Sequence, residues 1–107
     1  MKGTYLGEFE ELVLLTVGIL GKDAYGVAIK DDLTERTGRN PSIGALHSAL
    51  TRLEKKGFVR SEMEGATPDR RGRRKRYYRM TAAGESVLKA IYEQRNSMYH
   101  LIPKFGT

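Results

Sequence analysis

Residues 41–59 read PSIGALHSALTRLEKKGFV, and the fold turns on how this stretch is divided. Pro41 or Ser42 is suited to open a helix, and the pattern runs on to Lys56 before Gly57 closes it. Ile43, Leu46, Leu50 and Leu53 recur at spacings of three and four, so one face is expected in a core. The opposite face carries Ala45, His47, Ser48, Thr51, Arg52 and Lys55. After Gly57 the period shortens, and Phe58 to Glu64 (FVRSEME) reads as a strand. A helix with a free polar face therefore leads directly into a strand.

Working upstream, Asp23 is placed to cap a helix over about Ala24 to Thr37, stopped by Gly38. Its apolar stripe is Tyr25, Ala28, Ile29 and Leu33. Only GRNPS joins it to the next helix, the dimensions of a helix-turn-helix. Before it, Glu8 to Leu20 reads as a further helix, with acids at the positive end of its dipole and Gly21 as its stop. Leu12, Val13, Leu14, Leu15, Val17, Ile19 and Leu20 leave it almost no polar face, so it must be covered on both sides. Downstream, GATPDRRGR supplies turn residues and Lys75 to Met80 a second strand, with Tyr78 and Met80 on one face and Tyr77 and Arg79 on the other. Tyr78 is assigned to the core. Thr81 then caps a last helix, about Ala82 to Leu101, whose stripe is Val87, Leu88, Ile91, Met98 and Leu101 or Ile102, with Pro103 beyond it.

The expected class is mainly α with a small β-hairpin, a winged helix-turn-helix in the order α-α-α-β-β-α. Residues 1–107 are read as one domain, with 81–102 as a C-terminal dimerisation helix. A chain this small cannot easily cover both its first and last helices by itself. The residues expected to dimerise are Phe9, Leu12, Val13, Val87, Leu88, Ile91, Met98 and Leu101.

Charge is concentrated in one place. Seven of the ten residues from Arg70 to Arg79 (RRGRRKRYYR) are Arg or Lys, out of nineteen in the chain; without them the formal +6 becomes −1. A charge run is often only a solvated tail. This one sits between two strands and beside aromatics, which is the electrostatic footprint of a surface that meets phosphates.

Other chemistries find little support. There is no cysteine, so no disulfide framework or thiolate metal site is available. His47 and His100 are 53 positions apart, and no Gly-rich phosphate loop or carboxylate–histidine cluster at ligand spacing is present. Neither an enzyme nor a cofactor is expected. The run Leu12–Leu20 is too short to span a bilayer, and Glu8, Glu10 and Glu11 precede it where a signal peptide would be basic, so a cytoplasmic location is expected.

The sequence resembles the PadR family of winged-helix transcriptional regulators, in its shorter subgroup with a single C-terminal helix. The resemblance is carried by Leu15 and Leu20, by Ala24-Tyr25-Gly26, by the run from Ser42 to Val59, by Arg74 to Thr81 and by Gly84. The family commonly has Tyr, often followed by Pro, where this chain has His47 and Ser48. The resemblance thus carries over the winged helix but not the base preference. It implies a dimer, and a small-molecule effector of unspecified identity near the dimer interface. It also implies that Tyr25 reaches a phosphate, whereas pattern alone makes Tyr25 a partly buried packing residue.

Together these readings place Tyr25, Ser42, Ala45, His47, Ser48, Thr51, Arg52 and Lys55 of the helix-turn-helix at DNA, with Arg71, Arg73, Arg74, Lys75 and Arg76 of the wing. The function expected is a ligand-responsive repressor, dimeric, on a near-palindromic double-stranded operator. An RNA-binding accessory protein and a protein-interaction module with an incidental basic wing are the alternatives; neutralising the wing arginines would leave the latter's function intact.

Overall fold

The computed structural model describes residues 5–64 and 75–104. Among these the elements are α1 (Glu8–Leu20), a single 3-10 turn (Gly21–Asp23), α2 (Gly26–Thr37), α3 (Ile43–Lys55), β1 (Val59–Glu64), β2 (Lys75–Met80) and α4 (Ala82–His100). The strands pair antiparallel, Val59 opposite Met80 and Glu64 opposite Lys75. This is the expected winged helix-turn-helix, with both ends of α1 where the acids and Gly21 set them.

The core lies where α1, α2 and α3 meet under the hairpin. Val13, Leu14, Val17, Ile29, Leu33, Leu46, Ala49, Leu50 and Leu53 are buried, closed by Phe58, Val59 and Tyr78 from the hairpin. Burial of this kind contributes about 25 cal/mol per Å² of apolar surface and dominates what holds such a chain folded. Gly57 makes the corner between α3 and β1. Its φ of 82° lies in the left-handed region, and there Gly57 N donates to Glu54 O and Phe58 N to Leu53 O, both at 3.0 Å.

Three readings need correction. Asp23 does not cap α2: it closes the 3-10 turn, and the cap position falls to Tyr25, two residues later, because the chain between runs extended beside β2. Ile43 is not core but 46% exposed, since it is the first residue of α3 and overhangs the packed body; Ala49 takes its place in the buried stripe. On the first helix Glu10 and Thr16 are buried while Leu15 and Ile19 are exposed, so among the described residues part of its apolar surface lies uncovered. Val13, expected on a subunit surface, is fully enclosed by its own chain.

Helix α4 starts on the head and leaves it. Thr81 Oγ1 accepts from Gly84 N at 3.1 Å and donates to Gly57 O at 2.6 Å, fixing the first turn. Gly84 lies against the Phe58 carbonyl so closely that a Cβ would overlap it. Val87, Leu88 and Ile91 pack half-buried on the core, as do Phe9 and Leu12 of α1. Beyond them Tyr92, Met98, Tyr99, Leu101 and Ile102 are exposed. No helix among the described residues is long and apolar enough to cross a membrane.

Candidate nucleic-acid interface

Helix α3 is held by one face and presents the other. Ser42 Oγ accepts from Ala45 N at 3.0 Å, which starts the helix. Leu46, Ala49, Leu50 and Leu53 anchor it, and Ala45, His47, Ser48, Thr51, Arg52 and Lys55 are all exposed on its outer surface. The expected reading face is thus a continuous outward strip on a helix whose position is fixed.

What fixes its C-terminal end is an ion cluster that pattern reading missed. The Glu10 carboxylate, buried on α1, accepts from Arg52 Nε at 2.5 Å and Lys56 Nζ at 2.7 Å. Gly7 N donates to it at 3.2 Å, and Lys56 Nζ also donates to Tyr5 O at 2.6 Å. Burial pushes the Glu10 carboxyl up, but the hydrogen bonds from Lys56, Arg52 and the Gly7 amide outweigh it and hold the group below the ordinary glutamate value. Arg52, placed at DNA by the sequence, is therefore partly committed to its own chain. The signal available was an acid inside the apolar α1 pattern. Its partners, 42 and 46 positions away, could not be read from spacing.

The base of the wing is locked to the start of α2. Tyr78 N donates to Ala24 O at 2.8 Å, and Tyr25 forms a backbone bridge with Tyr77. The Tyr25 and Tyr77 rings meet edge to face, centroids 5.5 Å apart, and Lys75 Nζ stands 4.0 Å from the Tyr25 centroid. Tyr25 thus packs half-buried, as its pattern indicates, while Tyr77, on the face opposite Tyr78, gains a clear role. Arg76 Nη1 donates to Ser61 Oγ at 3.0 Å, and Ser61 Oγ in turn to Glu54 Oε2 at 2.9 Å, so the hairpin is also tied to α3. Arg79 is turned to acids of its own hairpin, 3.6 Å from Glu62 and 3.3 Å from Glu64. Arg71, Arg73 and Arg74 lie outside the described residues.

Between the start of α3 and β2 runs an open groove of about 440 Å³, lined by Tyr25, Val27, Ile43, His47, Lys75 and Arg76 among others. One surface therefore carries α3's polar strip, this groove and the cations of β2. Among the described residues no group of three His, Cys, Asp or Glu could hold a metal ion. The arrangement can grip an extended anion and present hydroxyl, imidazole and aliphatic groups to whatever lies beside it.

Residues 14–90 match the family described as transcriptional regulator PadR-like family. An uncharacterized protein of Lysinibacillus sphaericus is 29% identical over 101 residues, which cover 92% of this chain and 88% of that protein. Among solved structures, a transcriptional regulator from Clostridium thermocellum Cth-833 superposes with a TM-score of 0.69 at 28% identity, over 92% of each chain. A PadR family transcription regulator from Clostridium difficile R20291 shares the fold with a TM-score of 0.75 at 24% identity, over 89% of this chain and 94% of the other.

Proposed function

This chain belongs to the PadR-like family of transcriptional regulators, which implies regulation through DNA, and from that premise we propose a ligand-responsive repressor that binds a near-palindromic duplex as a dimer. The observation that carries this reading is the outward polar strip of α3 standing beside a wing whose base is locked in place. A major groove admits a helix with its side chains, so Ala45, His47, Ser48 and Thr51 are proposed to meet base edges. Arg52 contributes only through the guanidinium nitrogens that Glu10 leaves unengaged. Ser42, Tyr25, Lys55, Lys75 and Arg76 are proposed to contact phosphates and so set register, and Arg71, Arg73 and Arg74 to extend the grip along the backbone.

The dimer reading is supported by residues that the head does not cover. Met98 on α4 and Leu101 just past its end continue the stripe of Val87, Leu88 and Ile91, and Leu15 and Ile19 face outward on α1. Residues 1–107 act in this proposal as one winged-helix unit, with α4 and α1, the half-buried Phe9 and Leu12 among their residues, joining two copies. A two-fold axis would set the α3 helices about 34 Å apart, one turn of duplex. An effector seated near that joint regulates only if it binds the two head spacings with different affinity. The cell compartment proposed is the cytoplasm.

Selection of bound sequences from a random duplex pool, at stated salt, tests the proposal. The expected product is a near-palindrome with half-sites about 10 bp apart. Neutralising Arg71, Arg73, Arg74 and Arg76 should weaken binding to every duplex and flatten its salt dependence, whereas Thr51→Ala should relax sequence preference. Enrichment of no duplex sequence, or preference for single-stranded or structured RNA in competition, would overturn it.

A further inference from the structure

Ile43 belongs by period to the core and by position to the surface, and it is not alone there. Val27, the second residue of α2, is 59% exposed, and both residues line the groove between α3 and β2. Two bare aliphatic side chains thus stand at the N-terminal end of the helix proposed to read bases. Ile43, His47 and Thr51 follow one another at intervals of four, so Ile43 continues the stripe of two proposed readers. The N-terminal residues of a recognition helix are those that reach base edges.

The chemistry of the groove defines its occupant. Lys75 and Arg76 border it on the wing side, which favours an anionic partner. Its apolar part requires that the anion carry exposed hydrocarbon. In the major groove of a duplex the thymine C5 methyl is the apolar group displayed, and it distinguishes A·T from the other pairs. We propose that Val27 and Ile43 form a thymine-methyl reader, seating one or two thymines of each half-site as α3 enters the groove. This deepens the proposed duplex binding and rests on it.

The test changes the DNA before it changes the protein. In the selected operator each thymine is replaced in turn by deoxyuridine, which removes the methyl and nothing else. One or two positions per half-site should then bind about four-fold more weakly, the value of one buried methyl-sized group. Val27→Ser and Ile43→Ser, both at exposed positions, should abolish that sensitivity at those thymines while leaving the salt dependence of binding unchanged. An operator whose every thymine tolerates deoxyuridine overturns the inference but not the duplex binding. So does a serine variant that stays as sensitive as the parent. Absence of any duplex binding overturns both.

Discussion

Helices α3 and α4 bear apolar stripes of the same helical period, but the chain treats them differently. In α3 the stripe Leu46, Ala49, Leu50 and Leu53 is completely buried by α1, α2 and the hairpin. In α4 only Val87, Leu88 and Ile91 meet the core, and from Tyr92 onward the stripe faces outward, with Leu101 80% exposed. Periodicity marks a face as apolar; it does not say what covers it. For α3 the cover is intramolecular and the opposite face is left free to read. For α4 no cover is present among the described residues, which is why a second copy is its proposed occupant.

Substitutions on the two helices should therefore separate cleanly. Leu50→Ala, inside the sealed stripe, should cost roughly 2–5 kcal/mol of folding stability in urea unfolding. Gly84→Ala strikes the point where α4 joins the head: the added methyl meets the Phe58 carbonyl, and the overpacking should cost roughly 1–3 kcal/mol. Glu10→Gln tests the clamp behind α3 and should cost about 1–2 kcal/mol near neutral pH. Because the folded state holds the Glu10 carboxyl below its ordinary value, the unfolded chain takes up its proton first. The wild type should thus keep this contribution above about pH 4.3 and lose it as the pH falls further. A Glu10→Gln protein should lack that acid-dependent component. The smallest effect on stability belongs to Met98→Glu combined with Leu101→Glu, within about 0.5 kcal/mol at dilutions where the chain is monomeric. The same pair should halve the sedimenting mass at higher concentration, and an unchanged mass would remove the reason for contrasting the two helices.

The sequence makes these helices legible to different depths. Ser42, Gly57, Thr81 and the acids of α1 are local signals, and the ends of α1, α3 and β2 fall where they indicate. Tyr78 sits in the core because strand alternation is a local rule too. What escaped depends on the third dimension. Ile43 satisfies the core period but lies at the rim, beyond the elements that would cover it. Asp23 has the right chemistry for a cap, but β2 claims the following residues as an extended segment. The Glu10 cluster joins residues far apart in the chain, which fixes the angle of α3 and turns Arg52 partly inward. Val13 is apolar like its neighbours, and only packing distinguishes the buried side of α1 from the outer one.

Equilibrium affinity for duplex DNA across a series of salt concentrations bears most directly on whether wing and helix grip one double helix. Affinity should fall steeply as salt rises, with the logarithmic slope reduced by about one for each phosphate-contacting cation removed, Lys75→Ala included. Affinity that is weak in dilute buffer and indifferent to salt would contradict it.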